Sequence, residues 1–300
     1  MLRLGLCCLF KEAPIRFRTT TATVLMALPR EKALVKLAEL CLANAAALSG
    51  ALDYCAAHGI GCFRINSQIL PVKTHPEAGY HVAELPESIR AAFLACGEKR
   101  RSLDLRLTFH PDQFVLLNSP RPDVIRQAIA DLAYQAEVAE WVGADVLNIH
   151  GGGVYGDKPA ALARLVEAIH LLPSAIRSRL TLENDDRSYT PQDLLPVCHS
   201  TGVPLVYDVH HHRCLPDALS VEEATAAAIA TWDREPLFHL SSPRNGWGNG
   251  DPKPHHDFID PADFPACWRQ LDATVEVEAK AKEVAIARLA AFHPPIPRLW

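Results

Sequence analysis

The sequence predicts an α/β protein, a TIM-type (β/α)8 barrel formed by residues 1–300 as a single domain. Three observations carry that prediction. Eight short runs rich in β-branched and large apolar residues recur near 2–7, 60–65, 103–109, 144–149, 179–183, 203–208, 236–241 and 273–278. Each is followed by a stretch of helical spacing, of about the length a crossover between parallel strands requires. Six of the runs also carry an imidazole or a carboxylate at or near the end: RLTFH stops at His110, VLNIH at His150, LTLE at Glu183, PLVYD at Asp208, PLFHL carries His239 and TVEVE closes on Glu278. A barrel gathers such groups at one mouth, because its functional residues sit at the C-terminal ends of strands from all round the ring.

Taken in order, the first run follows Arg3 and is stopped by Lys11 and Glu12. It is too brief for a secretory h-region and lacks a small-residue cleavage pattern, so it reads as a strand. Helical stretches are expected at 31–58, 86–100, 122–142, 158–177, 191–201, 220–233, a short one near 261–270, and 279–292. Pro122 and Pro191 fit first helical turns, where a fixed φ and a missing N–H cost nothing. Lys99, Arg100 and Arg101 read as solvent charges complementing a helix C-terminus. The tail from His293 to Pro297, within 293–300, reads as an extended end. An open doubly wound sheet is the alternative, but no GxGxxG follows the first strand, where Gly5 stands alone.

A net charge of −5 excludes a polycation built for nonspecific nucleic-acid binding, so any phosphate contact must be local. No uninterrupted apolar run approaches the roughly 20 residues that cross a bilayer, and no membrane association is expected. Nine cysteines without a CxxC pair suit buried, reduced thiols in the cytoplasm.

A single histidine at a strand end is more often structural than a ligand, but six convergent endings weigh against that reading. His211, in the run DVHHH, and His255, in PHHDFI, join them. The set is nitrogen and oxygen without thiolate and exceeds four ligands, which points to more than one ion of the manganese, zinc or iron type. Neighbouring ions lower the pKa of a bridging water and neutralise the attacking and leaving oxygens of a phosphodiester. Asp257 and Asp260 are candidates for orienting His255, with plain surface carboxylates as the alternative.

The segment HGGGVYG, residues 150–156, lacks the GxSxG partner of a hydrolase oxyanion hole and does not match a GxxxxGK[ST] loop. Its glycines fit close approach of a substrate backbone, or simple loop flexibility. Gln113 and Phe114, in HPDQF, could wedge into a base stack, but for Phe114 core packing is the favoured reading of the residues alone. Arg16, Arg18, Arg64, Arg213, Arg244 and Lys253, interleaved with Asn66 and Ser67, are candidates for a phosphate track.

Together RLGLCC, FRINSQILP, FHPDQFVLLNSP, NIHGGG, LENDD, DVHHH, HLSSPR, HHDFI and VEAKAKE, in this order and spacing, resemble the UV damage endonuclease family. The resemblance implies a TIM barrel that nicks DNA on the 5′ side of UV photoproducts, using two or three divalent ions. Manganese is the first expectation, with zinc or magnesium as alternatives. It implies metal binding by His110, His150, Glu183, Asp208, His211, His239, His255 and Glu278, with Glu183, Glu278 and His239 catalytic. Gln113 and Phe114 match the pair that probes the distorted duplex, and Arg64, Asn66, Ser67 and Arg244 are expected on the DNA and lesion. The implied partner is damaged double-stranded DNA, bound by a monomer at the nucleoid in the cytoplasm.

The chain departs from the family where a lysine able to be carboxylated usually stands, here Leu237, and where tyrosine and asparagine are usual, here Leu6 and Phe10. These departures are expected near the metals or the lesion pocket. Rival readings are a sugar-phosphate isomerase or epimerase on the same barrel, a nuclease resembling AP endonucleases without UV-lesion specificity, and a damage sensor whose site has decayed.

Overall fold

The computed structural model describes residues 2–292 and is a closed barrel of eight parallel strands. The strands are β1 (Arg3–Cys7), β2 (Cys62–Ile65), β3 (Arg106–Phe109), β4 (Val146–His150), β5 (Leu180–Glu183), β6 (Leu205–Asp208), β7 (Leu237–Leu240) and β8 (Thr274–Val277). Each pairs with its neighbours in sequence, and β1 closes the ring on β8 through Gly5 opposite Glu276 and Leu6 opposite Val277. All eight match the runs expected from sequence, trimmed by one to three residues at their N-terminal sides.

The helices are α1 (Ala22–Met26), α2 (Arg30–Ala57), α3 (Ser88–Ser102), α4 (Pro122–Val142), α5 (Lys158–Leu171), α6 (Ser174–Arg177), α7 (Pro191–Thr201), α8 (Val209–Cys214), α9 (Val221–Ile229) and α10 (Glu283–Phe292). The helix expected at 158–177 is divided by Pro173, whose ring cannot continue a helix from within and instead starts the next turn. The short helix expected near 261–270 is two 3-10 turns, Pro261–Asp263 and Ala266–Trp268, each opened by a proline. By length and hydropathy, 28-residue α2 would span a bilayer, but its Leu37, Cys41, Ala45, Leu48, Leu52 and Cys55 are buried in the core shared with the barrel wall. Lys99 is not a free solvent charge: its Nζ donates to Asp53 Oδ2 at 2.7 Å and to Ser49 Oγ at 2.8 Å, tying α3 to α2. The expected tail at 293–300 lies outside the described residues.

Alternation along the strands sends one set of side chains into the barrel and the other toward the helices. Leu6 and Phe10 belong to the outer core: Phe10 stacks on Phe63 with centroids 5.8 Å apart and meets Tyr54 edge-on at 5.2 Å. Both side chains therefore pack toward the helices rather than into the barrel interior. Leu237 is fully buried in a separate apolar cluster with Val146 and Val206, so that departure packs the barrel beneath the mouth.

Candidate metal centre and active site

The same alternation carries His150, Glu183, Asp208 and His239 to the mouth, with His110 and Glu278 one residue beyond their strands. His211 arrives differently. Asp208 caps α8 by accepting the His211 N–H on Oδ1 at 2.8 Å, which stacks the two side chains on one turn and leaves Oδ2 free to face the mouth. Five imidazoles form a continuous arc: ring centroids are 5.7 Å apart for His239 and His110, 5.1 Å for His110 and His150, 5.8 Å for His150 and His211, and 6.1 Å for His211 and His255. Glu183 lies inside it, with one oxygen 2.9 Å from His110 Nε2 and the other 3.1 Å from His239 Nδ1. Glu278 Oε2 lies 3.7 Å from His255 Nδ1.

Three overlapping sets bring donor atoms within 4.8 Å of one another: His110 with His150 and Glu183, His110 with His239 and Glu278, and Glu183 with Asp208 and His211. Backbone carbonyls aim the rings, since His110 Nδ1 meets Pro111 O and His211 Nδ1 meets Asn184 O, each at 3.0 Å. Buried His150 Nδ1 and Asp208 Oδ2 have no hydrogen-bond partner, an unfavourable state for polar atoms unless a further group completes the site.

The protonation states follow from crowding. Burial favours neutral Glu183, yet His239, His150 and His110 overcome it and hold the carboxyl well below its usual range. His239 is opposed by burial but surrounded by Glu183 and Glu276, which push its imidazole up to about 10. His211 is likewise held well above its ordinary value, against burial, by Asp208 and Glu183. His150 is pushed down by burial.

The surrounding residues divide. Gln113 is exposed and Phe114 is 74 % exposed, so Phe114 is not a core residue. Arg244 is exposed on a hairpin closed by the Pro243–His255 bridge, and Asn66 and Ser67 are half-buried after β2. Arg64 is the exception: 6 % exposed, its guanidinium bonds Glu276 through Nε at 2.6 Å and Glu278 through Nη1 at 2.6 Å. Arg213, partly exposed, donates through Nη1 to Asp263 O at 2.8 Å. Asp260 caps the turn at Ala262 at 3.0 Å. The glycines after His150 are packed rather than free: Asn118 Nδ2 and Tyr189 Oη donate to Gly153 O at 2.8 and 2.9 Å.

Sequence reasoning passed over Asn148, Asn184 and Glu276. Asn148 Nδ2 donates to Glu183 Oε2 at 2.5 Å, and Asn184 Nδ2 to Asp208 O at 2.9 Å. Period-two spacing was the available signal for two of them, since Asn148 precedes His150 and Glu276 precedes Glu278 by two residues on the same strand face.

The family model described as UV-endonuclease UvdE matches residues 2–295. The chain belongs to this family. Its relatives include the UV DNA damage endonucleases of Deinococcus radiodurans, 37 % identical over 97 % of this chain and 96 % of the relative, and of Bacillus velezensis, 35 % identical over 94 % and 89 %. The crystal structure of SacUVDE superposes with a TM-score of 0.87 at 27 % identity, covering 97 % of this chain and 98 % of that one. Endonuclease IV from Thermus thermophilus, at 19 % identity over 82 % of this chain and 93 % of that one with a TM-score of 0.60, shares the fold. Membership in the UvdE family makes the chain a DNA repair endonuclease whose mouth carries possible metal-binding groups.

Proposed function

We propose that this endonuclease depends on divalent metal, recognises UV-damaged duplex DNA, extrudes the lesion and hydrolyses the phosphodiester on its 5′ side, leaving a 3′-hydroxyl. The observation that carries the reading is the convergence of His110, His150, Glu183, Asp208, His211, His239, His255 and Glu278 at one mouth. The donors fit two or three ions of the manganese class, with zinc or magnesium as alternatives, because they are imidazole and carboxylate without thiolate. When bound, such ions supply Lewis acidity and lower the pKa of water beside the phosphodiester.

In this reading Glu183, reached by imidazoles on both its oxygens, would help hold the ions together with His110 and His239, and Glu278 would contribute from the other side of His239. Gln113 and Phe114 enter the base stack, the aromatic ring occupying space and the amide meeting base edges. A photoproduct already weakens pairing and stacking, which lowers the cost of extrusion. Asn66, Ser67 and Arg244 hold the backbone, whereas Arg64 acts from below, on Glu278. Nine free cysteines accord with a reducing compartment, and the enzyme works as a monomer on nucleoid DNA in the cytoplasm.

The decisive experiment incubates Mn²⁺ and enzyme with three duplexes: one carrying a single cyclobutane dimer, one an abasic site, one undamaged. Cutting on the 5′ side of the dimer, with the undamaged duplex spared, is expected. Equal cutting of the dimer-bearing and undamaged duplexes, or cutting of the abasic duplex alone, refutes the lesion assignment.

A further inference from the structure

Among the described residues, Glu276 is the buried carboxylate beside the candidate ligands that has no place among them. It is 1 % exposed, one layer below the mouth on β8, and its side chain turns inward opposite Gly5. A Cβ on Gly5 would stand 2.9 Å from Glu276 Cγ, so the glycine on β1 leaves the space this side chain fills. Thr108 donates its hydroxyl to Glu276 Oε1, and Arg64 Nε donates to Oε2 at 2.6 Å. Both oxygens are thus fixed from separate strands.

What Glu276 faces is His239. Its Oε2 lies 3.0 Å from His239 Nε2, while Nδ1 points the other way, 3.1 Å from Glu183 Oε1 and 3.5 Å from Glu278 Oε1. A second group competes for the ring, chiefly at Nε2, because Arg64 Nη2 lies 2.8 Å from Nε2 and 3.5 Å from Nδ1. The two neighbours favour opposite tautomers. Glu276 accepts only, and so stabilises Nε2–H with the lone pair on Nδ1; Arg64 donates only, and so stabilises a lone pair on Nε2 with the proton on Nδ1.

We propose that Glu276 is a positioning residue that holds His239 in the Nε2–H tautomer, presenting the Nδ1 lone pair toward Glu278 and Glu183 for metal binding, while Arg64 is kept on the two carboxylates. The inference rests on the metal-dependent reading above. A carboxylate behind a ligand histidine fixes its ring and raises its basicity, and loss of such a partner costs about 10- to 100-fold in metal affinity.

The test is Mn²⁺ titration of the full chain by calorimetry, with no DNA present. Wild type binding no Mn²⁺ would sink the metal-dependent reading itself, independently of Glu276. Given binding, Glu276→Met is expected to weaken one ion by roughly 10- to 100-fold, and Glu276→Gln, which keeps a neutral acceptor oxygen, to recover most of the loss. Equal affinities for wild type and Glu276→Met overturn the proposal. If Glu276→Met does not fold, ¹⁵N-histidine NMR of the wild-type protein loaded with Zn²⁺ decides: the ring proton of His239 on Nε2 supports the assignment, and on Nδ1 overturns it.

Discussion

Replacing Phe114 by alanine separates a wedge from a packing residue. Its ring is 74 % exposed, so the fold loses little when it is removed. An aromatic side chain offers on the order of 200 Å² of buriable surface, so about 150 Å² remains available for a partner. At about 25 cal/mol/Å² that is a ceiling of roughly 3.7 kcal/mol. Stacking on a base is worth about 1–3 kcal/mol by alanine substitution, or roughly a five- to 150-fold loss of affinity. Binding of a fluorescent duplex with and without one cyclobutane dimer, followed by anisotropy at fixed salt, measures it. The loss is expected on the damaged duplex, where the stack is already open, with a much smaller loss on the intact one. The melting temperature should stay within about 1 °C of wild type, as for surface substitutions generally. Equal losses on both duplexes, or a melting temperature lowered by several degrees, would refute the reasoning.

Glu283 opens α10 and accepts the backbone N–H groups of Lys11, Glu12 and Ala13 at 2.8, 2.7 and 3.0 Å, so Glu283→Ala should destabilise the fold by about 3 kcal/mol; urea unfolding at pH 7 reads it, and a midpoint unchanged from wild type counts against the role. Burial opposes charge on Glu283, but those N–H groups hold its carboxyl below the ordinary value, so its contribution is present above that value and fades as the solution is acidified through the lowered one. His239 has the opposite sign. Its value is raised from near 6.5 to about 10, so in metal-free protein its contribution is complete below pH 6.5 and fades as pH rises toward 10, while Mn²⁺ affinity climbs over the same interval because the ligand must shed its proton. Affinity that is flat between about pH 7 and 9 would contradict this. Gly152 has φ +89°, and an added Cβ would fall 2.2 Å from Asn118 Oδ1, so Gly152→Ala should cost about 2 kcal/mol or more; a thermal melt indistinguishable from wild type would show that the loop gives way.

The strands were legible because each is a short apolar run, six of them marked near the end by a polar ligand type, and the ring order followed from alternation with helices. α8 was not, because Val209–Cys214 holds three histidines whose ligand character masked a helical turn started by the Asp208 cap. The positions of the candidate ligands were readable as strand endings. The layer beneath them was not, because Arg64 meets carboxylates 212 and 214 residues away in sequence, and a strand arginine followed by polar residues reads equally well as a phosphate contact. Core packing was the wrong residue-level reading of Phe114 for a related reason: sequence gives the ring, while only the loop's path says whether anything covers it, and the ring is exposed.

Closure of the ring has a consequence for the timing of activity. The candidate ligands run from His110 just past the third strand to Glu278 just past the eighth, and the ring closes only when β8 pairs with β1. A growing polypeptide that has not yet made β8 lacks both the last carboxylate and the seam that shapes the pore. On the metal-dependent reading, a chain without β8 would lack the complete donor set, and cutting would await closure of the ring.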